Sequence, residues 1–226
     1  MKISTILYAD DTVIISETEE GFQEALLNLE QYCDLWKHRV HTQKTKIVIF
    51  SKRKYKAQIS LKLYDENIDI VDSHTYLGVV FNYNGNYCTA KKRLIDQANK
   101  ALHALYYKLR NLTIPINLQL KLFYSLIAPI LVYSCEIWGF ENKQGIEKLH
   151  LQFLIKILNL RNNTPNYMVY GEMGRFPMDI VIKLRMIMFW NSLIDNSGKL
   201  SSILYKLMLK IHESSQADLK WIKYIK

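Results

Sequence analysis

The chain has 226 residues, 49% of them hydrophobic, and 30 Lys and Arg against 21 Asp and Glu give a formal charge of +9. This composition excludes a disordered or fibrous chain and allows one large domain or two small ones, while the positive charge favours a polyanionic partner, nucleic acid first and an anionic membrane second. The three cysteines, Cys33, Cys88 and Cys135, are far apart, which argues against a zinc site or a disulfide framework.

The sequence predicts neither a signal peptide nor a membrane span. Asp10 follows the first apolar run too soon for a signal peptide. The longest apolar stretch, residues 122–138, is interrupted by Pro129 and Glu136 and falls short of the ~20 residues that a span requires. We therefore expect a soluble intracellular protein, in the nucleus or the cytoplasm, with reduced thiols.

The first sixteen residues predict a tight β-hairpin with two carboxylates at its tip. The apolar run Ile6-Leu7-Tyr8 leads into Asp10 and Asp11, and the run Val13-Ile14-Ile15 leads out. Adjacent carboxylates repel each other unless solvent or a cation relieves them, and Mg²⁺ prefers such oxygen ligands. Two interpretations stay open: a solvated turn, or a metal site with Asp10 and Asp11 as ligands.

A helix over residues 18–37 and a basic segment follow the hairpin. Thr18 with the acids after it predicts the helix start, and apolar residues at three- and four-residue steps form one face. Residues 37–56 then hold eight Lys or Arg and no acid, around a predicted strand over residues 47–50. The segment is either a phosphate-facing stripe or a solvated surface. Its candidate backbone contacts are Lys37, Arg39, Lys46, Lys52, Arg53 and Lys54.

A second hairpin and a further strand are predicted before the chain turns helical. Residues 59–63 and 68–71 alternate around an Asn-containing turn, and a strand through Tyr76-Leu77-Gly78-Val79 ends at Asn84-Gly85, a strong turn signal. Gly78 within that strand predicts a bulge or a close backbone approach.

Helical periodicity dominates after Gly85. Helices are predicted over residues 87–111, 113–133, 145–160 and 177–193, with a linker over 166–176 and short amphipathic pieces after residue 197. The helix over residues 113–133 is apolar nearly all round and is expected to be buried. Lys91, Lys92 and Arg93 lie outside the apolar face of the helix over residues 87–111. Their face is interpreted either as a nucleic-acid-binding surface or as an ordinary solvated surface.

Together, these motifs resemble a known family. Tyr8-Ala9-Asp10-Asp11, a helix, Lys44-Thr45-Lys46 before a strand, a hairpin and Tyr76-Leu77-Gly78-Val79 occur in the order and at the spacing of reverse transcriptases. Ala9 in the second place of the first motif resembles the branch of non-LTR (LINE-type) retrotransposons. The likeness is specific over residues 1–85 and diffuse to about residue 195, and it departs from the family at His41, where an asparagine is usual.

The resemblance implies an RNA-directed DNA polymerase that uses an RNA template, a DNA primer and two Mg²⁺ or Mn²⁺ ions. It implies that Asp10 is the principal metal ligand, Asp11 a secondary one, and that Lys44 lies near the incoming triphosphate. By the same resemblance, residues near the primer or the nucleotide are Tyr8, Ala9, Tyr76, Leu77 and Gly78.

The expected architecture is α+β: a partial polymerase palm of antiparallel hairpins and one long helix, followed by an all-helical thumb-like region. We predict a partial palm over residues 1–85, a thumb-like region over 86–165 and a helical extension over 166–226. The family's other essential aspartate lies on an earlier strand, and only seven residues precede Tyr8. We therefore expect a fragment without fingers that does not polymerise alone. A non-catalytic nucleic-acid-binding module and a plain basic helical scaffold remain alternatives.

Overall fold

The computed structural model describes residues 5–52, 60–195, 199–215 and 219–225. The chain divides into two compact units, Met1–Asn86 and Tyr87–Lys226, called here the N-terminal unit and the helical unit. The first combines short strands with one long helix and the second is helical, so the predicted α+β class is confirmed.

In the described residues of the N-terminal unit, the strands form four two-stranded pairings. β1 pairs antiparallel with β2, β4 with β5, and β7 with β8, whereas β3 and β6 run parallel. The strands are β1 (Thr5–Tyr8), β2 (Asp11–Ile14), β3 (Lys46–Ile47), β4 (Lys62–Leu63), β5 (Glu66–Asn67), β6 (Asp69–Ile70), β7 (Ser73–Tyr76) and β8 (Val79–Asn82).

The predicted helix of this unit is confirmed as α1, Glu19–Leu35. The Thr18 hydroxyl accepts a hydrogen bond from the Gly21 amide at 3.1 Å, which satisfies one of the free donors at the helix start. Gln23 of α1 bonds the β4 backbone twice, since its amide donates to the Lys62 carbonyl at 2.9 Å and its oxygen accepts from the Lys62 amide at 3.0 Å. The Gln23 side chain thereby bonds the Lys62 backbone as a neighbouring strand would. The core beneath it consists of Leu26, Ile47, Leu61, Leu63 and Ile68.

Two predicted strands are shorter than expected. The strand over 47–50 is reduced to β3, which pairs in parallel with β6 beside an ion pair between Lys46 and Asp69 at 2.5 Å. The predicted hairpin over 59–71 is reduced to β4 and β5 around a two-residue turn, in which Tyr64 and Asp65 take positive φ. Its predicted second strand instead supplies β6, which pairs with β3. Residues 53–59 lie outside the described part of the chain.

The helical unit begins with a long helix, α2. The helices are α2 (Cys88–Leu109), α3 (Ile116–Leu122), α4 (Ala128–Leu131), α5 (Cys135–Trp138), α6 (Gln144–Ile157), α7 (Asn166–Met173), α8 (Met178–Asp195), α9 (Leu200–Ser215) and α10 (Lys220–Ile225). The predicted helices over 87–111, 145–160 and 177–193 correspond to α2, α6 and α8. Of the described helices, none is long and apolar enough to cross a membrane.

The predicted continuous helix over residues 113–133 is wrong in detail. A π-helical segment, Phe123–Ile127, separates α3 from α4. Pro129 lacks an amide donor and its ring crowds the carbonyl four residues earlier, which a π-helical widening relieves. One face is buried at Phe123 and Ile127, but Leu126 is 51% exposed, so the helix is not buried all round.

The predicted linker over residues 166–176 is also wrong, because it contains α7. Pro165 precedes α7 as its N-cap residue, and Gly174 ends it in the left-handed conformation at φ +56°. Both residues are typical of helix boundaries. The two glycines among these eleven residues favoured a linker, although the segment forms a two-turn helix.

Candidate active-site hairpin and basic surface

The β1–β2 hairpin places the two carboxylates at an exposed tip. Tyr8 pairs with Asp11 across the strands, so Ala9 and Asp10 form a two-residue turn. Ala9 has φ +49°, a left-handed conformation that residues with a Cβ seldom adopt. Tyr8 is 63% exposed, and Ala9, Asp10 and Asp11 are exposed as well. The predicted hairpin is therefore confirmed, with its polar side chains accessible to a ligand.

Asp10 and Asp11 differ in their backbone setting. Asp10 is in the turn, whereas Asp11 is the first residue of β2. Their carboxylates are suitable oxygen ligands for Mg²⁺ or Mn²⁺. Within the described residues, no group of three or more His, Cys, Asp or Glu could hold a metal ion. The donor chemistry of the pair fits a divalent cation, but two carboxylates do not complete its coordination.

The basic segment begins where α1 ends. Lys37 has φ +53°, and the next amide, of His38, donates back to the Cys33 carbonyl at 2.8 Å, which is the hydrogen bond of a Schellman helix end. The Arg39 guanidinium then lies 5.4 Å from the centre of the Tyr64 ring. The Tyr64 hydroxyl accepts a hydrogen bond from the Val40 amide at 3.5 Å. The β4–β5 turn thus fixes the loop, while Lys37 and Arg39 stay exposed.

The remaining cations of the segment have different environments. Lys44 is exposed and its amide donates to the His41 carbonyl at 3.1 Å, in a turn before β3. Lys46 is engaged with Asp69, which reduces its positive field, and Lys52 is exposed. Arg53 and Lys54 lie outside the described residues.

The motif Tyr76-Leu77-Gly78 forms the turn of the β7–β8 hairpin. Tyr76 pairs with Val79, and Leu77 and Gly78 have φ +46° and +78°. The predicted bulge at Gly78 is wrong, because this glycine occupies a two-residue turn that requires positive φ. Leu77 is 38% exposed. The Tyr76 hydroxyl is buried without a hydrogen-bond partner among the described residues.

Of the three basic residues predicted at the start of α2, Lys91 does not face solvent. Lys91 is 7% exposed, lies 2.7 Å from a Glu141 carboxylate oxygen and donates to the Asn142 carbonyl at 3.0 Å. Its placement with Lys92 and Arg93 on an outer nucleic-acid-binding face is therefore corrected. Those two side chains are exposed.

Comparison with known proteins shows a likeness to reverse transcriptases. Residues 1–81 match the family model described as reverse transcriptase (RNA-dependent DNA polymerase). The RNA-directed DNA polymerase from the mobile element jockey of Drosophila melanogaster is 23% identical over 74% of the chain. A probable RNA-directed DNA polymerase from the Drosophila melanogaster transposon BS is 24% identical over 64% of it. The chain is thus similar to the reverse transcriptases of non-LTR retrotransposons, most specifically over residues 1–81.

The chain spans only part of the proteins that it matches. It covers 19% of the jockey polymerase and 17% of the BS polymerase. An uncharacterised transposon-derived protein of Caenorhabditis elegans is 28% identical over 66% of the chain, which covers 53% of that protein. No solved structure gives a significant match. Because the family model ends at residue 81 and the jockey alignment covers 74% of the chain, the likeness to jockey extends into the helical unit.

The helical unit contains a buried polar cluster that sequence reasoning missed. His150 is fully buried, and its Nε2 lies 2.8 Å from the Tyr124 hydroxyl. Glu147 accepts a hydrogen bond from the Tyr170 hydroxyl and one from the Asp179 amide, at 3.2 Å, at the start of α8. Burial raises the pKa of Tyr124, opposed by the nearby Arg175. The signal in the sequence is a histidine within the apolar face of α6, but the other residues that bond His150 and Glu147 lie on three further segments.

Proposed function

We propose that the N-terminal unit is the second half of a reverse transcriptase palm and that the helical unit is the thumb with its following segment. The observation that carries this proposal is the β1–β2 hairpin, which presents Tyr8-Ala9-Asp10-Asp11 at an exposed two-residue turn inside the segment that matches the family model. The substrates would be an RNA template, a DNA primer and nucleoside triphosphates.

In this proposal each group has a defined role. Asp10 and Asp11 would hold a divalent cation, Mg²⁺ or Mn²⁺, which supplies positive charge at the reacting phosphate when it is bound. Lys44, exposed in the turn before β3, would neutralise charge on the departing phosphates. Tyr8, beside the turn, would contact the primer terminus, and the β7–β8 turn would support the primer strand.

The same geometry supports the expectation that the 226-residue chain does not polymerise alone. A two-metal centre needs carboxylates from more than one strand to hold both ions, and the described residues offer two adjacent ones. Polymerisation therefore requires a further carboxylate, on another strand of a complete palm.

The direct test supplies that complete palm. Residues 1–81 of this chain would replace the matching segment of the jockey polymerase, and the chimera would be assayed for RNA-templated primer extension with Mg²⁺. We expect measurable extension, reduced to background by Asp10→Asn and to an intermediate level by Asp11→Asn, because the turn carboxylate is the principal ligand. Thermal unfolding of each chimera verifies that it is folded.

Glu17→Gln provides the matched control, since it removes an exposed carboxylate just after the same hairpin. That variant should extend primers like the parent chimera. A folded parent chimera without extension, or an Asp10→Asn variant as active as the Glu17→Gln variant, would contradict the catalytic role.

A non-catalytic nucleic-acid-binding module is the second candidate, favoured by the exposed Lys37, Arg39 and Lys44 of the basic segment. Its signature is RNA binding by the isolated chain that falls steeply with salt because phosphate contacts release counterions. Binding would be unchanged by magnesium and by Asp10→Asn. That result, together with a folded but inactive chimera, would select this candidate.

A further inference from the structure

A cavity of about 430 Å³ opens in the helical unit beside the end of α2. This volume falls in the range of about 300–1,000 Å³ typical of small-ligand sites. Its lining combines apolar, aromatic, amide and cationic side chains from four segments. The lining residues are Leu105, Tyr106, Leu109, Arg110, Leu112, Ile114, Gln119, Phe153, Lys156 and Ile157.

Two cations at this cavity contact aromatic rings. The Lys156 ammonium lies 3.5 Å from the centre of the Tyr106 ring, and the Arg110 guanidinium lies 4.5 Å from the centre of the Tyr107 ring. Within the described part of the chain, neither cation forms an ion pair with a carboxylate. Both charges are exposed, so the rim of the cavity is suited to an anionic ligand.

The walls determine what the rest of that ligand must be. Leu105, Leu109 and Ile157 provide an apolar surface, which a bare phosphate would leave unused. The Gln119 amide donates to the Ile114 carbonyl at 2.8 Å, fixing two wall residues against each other. Burial raises the pKa of Tyr106 to about 12, and its ring forms part of the wall. A flat aromatic group joined to phosphate matches both the rim and the walls.

We propose that this cavity binds one unstacked base of a single-stranded nucleic acid, with Arg110 and Lys156 on the flanking phosphates and Tyr106 beside the base. The proposal rests on the proposed function only for the class of ligand, nucleic acid, and does not use Asp10, Asp11 or Lys44. It assigns the helical unit a contact with single strands in addition to any contact with a duplex.

The test measures binding of the full chain to a short fluorescent single-stranded RNA by anisotropy, with a DNA strand of the same sequence as a second arm. The variants are Arg110→Ala and Lys156→Ala. Their matched controls are Lys108→Ala on α2 and Lys148→Ala on α6, which remove exposed lysines of the same helices away from the cavity. Each cavity variant should weaken binding about tenfold, and each control by at most about twofold.

Two further measurements separate base binding from general charge attraction. A strand with abasic sites should bind the wild-type chain more weakly than the intact strand, and a Tyr106→Leu variant should lose that difference, because Tyr106 is the residue placed beside the base. Photo-crosslinking of a 4-thiouridine strand to the unmodified chain should label the peptide that contains Tyr106 and Tyr107.

Equal losses of binding in cavity and control variants, or crosslinks elsewhere only, would overturn the cavity proposal while leaving the palm proposal intact. Absence of any binding at low salt would overturn the cavity and the nucleic-acid-binding candidate together, whereas the chimera assay tests the palm independently.

Discussion

At the scale of single residues, Lys37 holds a backbone conformation that its side chain disfavours. It ends α1 at φ +53°, a position where glycine is usual because it lacks a Cβ. We predict that the free energy of unfolding of the Lys37→Gly variant is about 1 kcal/mol higher than that of the Lys37→Ala variant. Only alanine retains the energetic cost of a Cβ in the left-handed conformation. Urea unfolding of both variants measures the difference, and both lose the same charge.

Arg39 supplies the control for Lys37, because it lies in the same basic loop without positive φ. There, alanine should be at least as stable as glycine, since glycine only adds freedom to the unfolded chain. Equal stabilities of the two Lys37 variants would contradict the strain.

The end of α1 was predictable from the loss of apolar periodicity. The conformation of Lys37 was not, because the usual signal, a glycine, is missing.

At the scale of elements, α2 depends on an ion pair that its own sequence does not reveal. Lys91 and Glu141 lie 2.7 Å apart, and the other Glu141 oxygen accepts from the Tyr87 amide at the start of α2. We predict that Lys91→Met lowers the free energy of unfolding by about 3 kcal/mol, because it leaves a largely buried carboxylate unpaired. Chemical denaturation of the full chain measures this loss.

Lys92→Met is the matched control, since it changes the neighbouring exposed lysine and should alter stability by no more than about 0.5 kcal/mol. Adding Glu141→Gln to Lys91→Met should recover part of the loss, because it removes the unpaired charge and keeps an acceptor for Tyr87. Equal effects of the two methionine variants would show that the pair contributes nothing. Periodicity located α2 correctly but misplaced Lys91, whose partner lies fifty residues away on a loop.

At the scale of the whole molecule, the two units differ in the size of their cores. The buried cluster of the N-terminal unit has Leu26, Ile47, Leu61, Leu63 and Ile68, whereas that of the helical unit has more than a dozen members. Short strands and helices with periodic faces were predictable from sequence. The parallel β3–β6 pairing was not, because it joins two-residue strands that lie 23 residues apart in the chain.

This difference in core size predicts a difference in local stability. Backbone amides of β4 and of residues 66–70 should exchange with deuterium faster than those of α6, because fewer buried side chains oppose their opening. Leu63→Ala should accelerate exchange through the N-terminal unit, since a buried leucine contributes about 2–5 kcal/mol and this small core has few other members.

Leu154→Ala is the counterpart in the helical unit, since both leucines are fully buried. Leu154→Ala should raise the rate of amide exchange only around α6, and some amides there should stay protected. The reason is that Phe153, Ile146 and Leu149 remain packed in the larger cluster. Hydrogen exchange read by mass spectrometry at peptide resolution makes the comparison on the full chain. Slower exchange in β4 than in α6 would show that hydrogen bonds such as the Gln23–Lys62 pair, rather than core size, determine the stability of the N-terminal unit.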